Sequence, residues 1–138
     1  MKFIRRASAQ WQGSGPEGKG YVNTQSKVLN QTPYSFKTRF QDEQGTNPEE
    51  LIAAAHAGCF TMQLTFLLGE AGFTPTHLET EAKLTFEDGS ITHIELFLNG
   101  KVDGIDLGKF QETATKAKEI CPISKLLNTK ISLTANLI

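Results

Sequence analysis

At 138 residues and a formal charge of −1, the chain has the size of one ordinary domain, able to bury roughly two-thirds of its unfolded surface without a disulfide or metal staple. Its 14 basic and 15 acidic side chains are interspersed, so the basic stripe that phosphate neutralisation demands is missing and no nucleic-acid partner is expected. Two cysteines are too few for a secreted disulfide framework; the expectation is a single soluble, cytoplasmic domain spanning 1–138, with reduced thiols and no membrane partner.

The opening MKFIRRASAQW carries positive charge with no apolar run behind it, and does not read as a signal peptide. ASAQW is the first predicted strand, with Ala7, Ala9 and Trp11 on one face, and GSGPEGKG at 13–20 is a surface loop. YVNTQSKVL reads as a second strand and YSFKTRF as a third. In the latter Tyr34, Phe36, Thr38 and Phe40 point one way, and Ser35, Lys37 and Arg39 the other.

The period then changes. GTNPEELIAAAHAGCFTMQLTFLLGEAGF predicts a helix of about 24 residues, ~36 Å long. Asn47 is its expected N-cap, Pro48 its first helical residue, and Glu50 the partner that completes a capping box. Gly72 is the expected C′ residue, with Pro75 beyond it to prevent continuation. Apolar side chains surround the middle of this helix, so it needs cover on nearly all sides. A domain of this size has trouble supplying that alone, whereas a second copy of the chain would. Ala54 and Gly58 form a small-residue pair that permits close approach of another helix. The apolar region from Leu51 to Leu68 is interrupted by His56, Gln63 and several threonines, which argues against a membrane span.

HLETEAKLTFEDG alternates with Leu78, Thr80, Ala82, Leu84 and Phe86 on one face, and Asp88-Gly89 turns the chain into SITHIELFLNGKV. A second helix is predicted from Leu107 to Glu119 with Phe110, Ala114, Ala117 and Ile120 as its apolar stripe. CPISKLLN restarts a short helix and ISLTANLI closes the chain as a strand. The order is βββαββαβ, an α+β fold with a mainly antiparallel sheet packed on a long central helix.

The chemistry rests on two cysteines, 62 positions apart. A thiol reacts as thiolate, and a free cysteine is mostly protonated in a neutral cell. With Pro122 at the first position of a new helix, Cys121 becomes its N-cap and its sulfur faces unpaired backbone amides; the plainer reading is a Cys-Pro break joining two helices. Cys59 lies mid-helix, where the amides are already paired. His56, three residues earlier on the same side, either shares a proton with it or is a satisfied core histidine. Alone, Cys59 reads as inert packing. As a pair, the thiols have the parts for a redox cycle in which one sulfur becomes a sulfenic acid and the other condenses with it. Spacing leaves open whether they meet.

GTNPEELIAAAHAGCF followed by CPISKLL resembles the osmotically inducible protein C / organic hydroperoxide resistance family of bacterial thiol peroxidases. GKGYVNTQSKVLNQTPYSFKTRF and LGEAGFTP also fit, so the similarity runs the length of the chain, and TRF with NPEELI is closer to the osmotically inducible branch. The resemblance implies a peroxidase that reduces organic hydroperoxides to alcohols without metal, haem or other cofactor. By position, Cys59 matches its peroxidatic cysteine, Cys121 the resolving one, Glu49 the catalytic carboxylate and Arg39 the arginine that activates the thiolate. It also implies an intertwined homodimer with the long helices at the centre, and a dithiol reductant. Glu49 and Cys59 are ten residues apart on one helix, hence ~15 Å along its axis and rotated by ~80°. If both serve one pocket, the glutamate comes from the partner chain.

Phe36, Phe60, Met62 and Phe66 are candidates for an apolar wall against the substrate's hydrocarbon, with His56 beside them; the sequence has nine phenylalanines and few other aromatics to build one. Three other readings stand beside the peroxidase. A zinc site on His56, Cys59, Cys121 and another histidine lacks the tight ligand spacings of structural zinc. A dithiol-disulfide oxidoreductase lacks CxxC. A non-catalytic stress or ligand-binding protein would use the thiols only for packing.

Overall fold

The α+β class holds in the computed structural model, which describes residues 1–138, and its strands pair into two three-stranded sheets. In chain order the elements are β1 (Ala7–Gln12), β2 (Lys19–Thr24), β3 (Thr32–Tyr34), α1 (Phe36–Phe40), α2 (Pro48–Glu70), β4 (Pro75–Glu87), β5 (Ser90–Val102), α3 (Leu107–Ile120), α4 (Pro122–Leu126) and β6 (Lys130–Leu137). They belong to two compact units, Met1–Leu51 and Ile52–Ile138.

In the first unit, β1, β2 and β3 form an antiparallel sheet with Trp11 opposite Gly20 and Gly20 opposite Tyr34. The Trp11 and Tyr34 rings meet edge-on at 5.2 Å across that glycine, where a Cβ would stand 2.5 Å from the Tyr34 ring. Only glycine leaves room for this cross-strand pair.

The third strand is shorter than its alternation predicts. β3 ends at Tyr34, and the rest of YSFKTRF is α1. Ser35 Oγ accepts from the Thr38 amide at 3.2 Å and Thr38 Oγ1 accepts from the Ser35 amide at 2.7 Å, a reciprocal cap that starts a helix. Phe36 and Phe40, expected on one face of a strand, are four apart and meet on one face of the helix, their rings 4.9 Å apart. Alternation over so few residues fits both periods, and the local hydrogen bonds decide. Arg39 therefore stands on a helix.

The start of α2 is capped as expected on one side only. Asn47 Oδ1 accepts from the Glu50 amide at 2.8 Å, but the Glu50 carboxylate takes the Thr46 hydroxyl at 3.1 Å and not the return bond of a capping box. At the other end, Gly72 has φ +90°. Phe73 N–H reaches Leu68 O at 2.8 Å and Gly72 N–H reaches Gly69 O at 3.0 Å, the paired closure that requires a left-handed residue at this position.

In the second unit β4 and β5 make the long hairpin predicted from Asp88-Gly89, whose φ values are +50° and +81°. β6 pairs with β5 in parallel, because the chain crosses over through α3 and α4 before returning to the sheet. Phe60, Leu64 and Leu68 of α2, Ile94, Leu96 and Leu98 of β5, and Phe110, Ala114 and Ala117 of α3 are all buried in one core. Asp106 caps α3, its carboxylate accepting from the Lys109 amide at 2.8 Å.

By length and composition alone α2 would cross a membrane; here it is a core helix on one side. His56, Phe60, Leu64 and Leu68, spaced by four, are buried. Ala54, Gly58, Met62 and Phe66, two residues out of step and so on the opposite side, are exposed, Met62 and Phe66 each by 63%.

Leu96→Ala empties a fully buried position and should cost about 2–5 kcal/mol. Urea unfolding should show this as a lowered midpoint with unchanged slope.

Candidate functional site

α3 ends where Cys121 closes it, donating its backbone N–H to Ala117 O at 2.9 Å, and the same residue begins α4 with Pro122 in the first position. Its side chain is fully buried, while Cys59 on α2 is half-buried. The two sulfurs lie 2.7 Å apart as free thiols, somewhat beyond the ~2.05 Å of a disulfide bond. Residues distant in the chain thus meet, as a redox pair requires.

The helix-start amides do not serve the sulfur expected to use them. Cys121 makes no side-chain cap hydrogen bond; the Ile123 amide instead faces the Cys59 sulfur and favours its thiolate. The mid-helix thiol thereby receives from α4 the amide that its own helix cannot offer. No signal in the sequence relates Ile123 to Cys59.

Burial pushes the Cys59 thiol above its ordinary value, the hydrogen bond with Cys121 adds to the rise, and the Ile123 amide opposes it. A neighbouring negative charge on Cys121 would raise it further. Within this unit nothing makes Cys59 a ready thiolate at neutral pH.

His56 is fully buried. Its Nε2 lies 2.7 Å from Ser124 Oγ on α4, and its Nδ1 has no hydrogen-bond partner. Desolvation lowers its pKa from the ordinary 6.5, so the ring is neutral at pH 7. Of the two readings open for His56, proton sharing with Cys59 and a core histidine, the structure has the second, with its bond going to Ser124, a residue the sequence did not single out.

In the first unit, Arg39 and Glu49 form a fork. Arg39 Nε donates to Glu49 Oε1 at 3.0 Å and Oε2 at 3.2 Å, and a terminal nitrogen donates to Oε1 at 2.7 Å. This two-pronged geometry is the strong form of the pair, and it raises the arginine's pKa further. The Glu49 side chain is 16% exposed and that of Arg39 38%, so the cation is the more exposed of the two.

The expected apolar wall is divided. Phe60 has no exposed surface and belongs to the core, because the step of four from His56 turns it inward. Phe36 is exposed on α1, and Met62 and Phe66 on the outer side of α2. Met62 and Phe66 border an open trough with Ala57, Gly58, Thr61 and Thr80. No three His, Cys, Asp or Glu side chains converge as a metal site.

Residues 41–136 match the sequence model of the family described as OsmC-like protein. The chain is 48% identical over 137 residues to Peroxiredoxin OsmC of Escherichia coli (strain K12), covering 96% of both. It is 27% identical over 122 residues to Organic hydroperoxide resistance protein OhrB of Bacillus subtilis (strain 168), covering 86% of this chain and 88% of that one. Its fold is similar to the crystal structure of an OsmC like protein from Mycoplasma pneumoniae, with a TM-score of 0.78 at 12% identity, covering 100% of this chain and 99% of that one.

A histidine whose native pKa is depressed binds its proton more readily when unfolded. Its penalty is absent above the unfolded value of 6.5 and grows as pH falls through that value toward the lower native one. Comparing urea midpoints at about pH 8 and about pH 5.5, the wild type should lose stability and His56→Gln should lose measurably less. An equal loss in both would remove His56 as the cause.

Proposed function

This chain belongs to the OsmC-like family, and on that premise we propose that it is a thiol peroxidase that reduces organic hydroperoxides to alcohols through a Cys59–Cys121 disulfide. The observation that carries the reading is the 2.7 Å approach of the two sulfurs, in a chain whose relatives are named peroxiredoxin and organic hydroperoxide resistance proteins.

The unequal burial of the thiols supports their order of reaction. Half-buried Cys59 is the sulfur a substrate can meet, and buried Cys121 is the one that follows. The Cys59 thiolate attacks the outer peroxide oxygen, the O–O bond breaks, and with one proton the alcohol leaves as Cys59 becomes a sulfenic acid. The Cys121 thiol then attacks that sulfur, and water departs as the disulfide forms. A dithiol reductant restores both thiols by exchange. No metal or cofactor enters these steps. We place the protein in a reducing cytoplasm, which suits a pair that rests as free thiols.

Because burial raises the Cys59 pKa, the attack needs a cation. Arg39, permanently charged and held by the Glu49 fork, is the group suited to stabilise the thiolate and the oxygen developing charge. We propose that a homodimer is the catalytic unit, with Arg39 and Glu49 of one chain serving Cys59 of the other. The exposed side of α2 with Gly58, Met62 and Phe66 supports a helix-to-helix contact, and Phe36 is a candidate for the substrate's apolar wall.

Mass measurement after one equivalent of cumene hydroperoxide should show the loss of two hydrogens in the wild type, as required by one disulfide. Cys121→Ser should retain an oxidised Cys59, and Cys59→Ser should not react. Slow, equal oxidation of both thiols would defeat the assignment.

The shared site has its own test. Arg39→Ala and Cys59→Ser should each be inactive, yet unfolding and refolding them together in equal amounts should recover about a quarter of wild-type activity, since half the dimers then hold one intact site. If no activity returns in mixtures shown to contain heterodimer, each chain works alone.

A further inference from the structure

We propose that the His56–Ser124 hydrogen bond is a latch that holds α4 against α2 and so sets how readily Cys121 closes onto Cys59; this rests on the roles given to the two thiols above. α4 has five residues, none of them fully buried, and a helix so short has little stability of its own. Its place depends on what its side chains and amides grip.

Three contacts reach from the start of α4 to α2. They are the Cys121 sulfur on Cys59, the Ile123 amide on Cys59, and Ser124 Oγ on His56 Nε2 at 2.7 Å. The first two end on the sulfur that changes during the reaction. Once Cys59 carries an oxygen, the sulfur–sulfur contact and the amide contact must both rearrange. The third ends on a buried imidazole that takes no part in the chemistry, so it persists while the sulfenic acid waits for its partner.

The spacing suits the purpose. His56 and Cys59 are three apart on α2, and Cys121 and Ser124 are three apart across the start of α4, so the pairs form two rungs between facing segments. The inner rung is chemical and the outer one fixes the register. His56 is otherwise a poor core residue, since its ring is fully buried with Nδ1 unpaired, a cost that an aliphatic side chain would avoid. The bond to Ser124 is what this ring offers in return.

In the step concerned, Cys59–SOH and Cys121–SH become the Cys59–S–S–Cys121 disulfide and one water. The Cys121 proton leaves with the sulfenic oxygen, and no other reactant is needed. His56 and Ser124 are positioning residues for this step, acting through the place of Cys121.

The test is the effective concentration of Cys121 toward Cys59, measured by equilibrating the full-length protein with glutathione and glutathione disulfide. Here glutathione disulfide oxidises the two thiols to the disulfide and yields two glutathiones, so no hydroperoxide is involved and failure of the peroxidase reading would leave the measurement intact. Ser124→Ala should lower the effective concentration roughly five- to tenfold, the loss of one neutral hydrogen bond. Ser124→Thr, which keeps the hydroxyl, should stay within about twofold of wild type. With cumene hydroperoxide, Ser124→Ala should also leave more Cys59 sulfenic acid to be captured by dimedone. A wild-type value in Ser124→Ala, or an equal fall in Ser124→Thr, overturns the latch. His56→Leu should match Ser124→Ala if it folds; the serine variants, on a half-buried side chain, decide the matter if it does not.

Discussion

Two thiols 62 residues apart can approach to 2.7 Å only if the segments carrying them are held rigidly, and this constraint organises the second unit. Cys59 rides on α2, whose buried row of His56, Phe60, Leu64 and Leu68 locks that helix to the core. Cys121 is brought to it by the crossover from β5 to β6. Phe110, Ala114 and Ala117 fix the rotation of α3 against the same core, so the residue at its end has little choice of direction. Pro122 then breaks the helix, because its ring lacks the N–H that α3 would need to continue. The sulfur–sulfur contact is thus a product of tertiary packing, and neither helix alone contains it.

That packing carries a chemical penalty. A thiol held away from water beside a second thiol is harder to ionise, and Cys59 moves in that direction. One amide, from Ile123, counters it. A single neutral donor offsets desolvation incompletely, so the arrangement prepares the sulfurs to bond each other better than it prepares one to attack a peroxide. The Arg39–Glu49 fork supplies the opposite property. It presents a fixed positive charge on a partly exposed side chain, and it has no nucleophile of its own. The two constellations are chemically complementary, and that complementarity motivates the proposal that they serve one reaction.

What the sequence reveals follows the range of the interaction. The cap at Asn47, the glycine at 72, the Asp88-Gly89 turn and the stripe of α3 from Phe110 to Ala117 are read within a few residues, and the structure has each of them; Ile120, expected in that stripe, is only half-buried. At α1 the sequence points to a strand because Tyr34, Phe36, Thr38 and Phe40 satisfy a strand's period, while the deciding Ser35–Thr38 cap is a weaker variant of the usual box. The half-made box at Glu50 failed for a similar reason, since Thr46 offered its carboxylate a competing hydroxyl. The Ile123 amide on Cys59 and the Ser124 hydroxyl on His56 were beyond reach. Each joins α2 to a segment more than sixty residues away, and periodicity carries no information at that distance. The cysteines stood out only as residue types with known chemistry.

α2 shows why patterning alone could not assign its faces. Two apolar rows run along it, each with a step of four, and a two-residue offset puts them on opposite sides. One row is filled by the core of its own chain. The other, Ala54, Gly58, Met62 and Phe66, is exposed, although Met62 and Phe66 are among the side chains that gain most from leaving water. The glycine in that row meets nothing within 4 Å where its Cβ would be, so packing inside this chain does not account for it. A helix that is apolar all round belongs in an interior, and this chain supplies half of one. In the proposed homodimer the other half is the same row on a second copy, since a two-fold axis sets like surface against like. The feature that made α2 resemble a membrane span is then the feature that motivates the proposed homodimer, and Cys59 lies on the same helix.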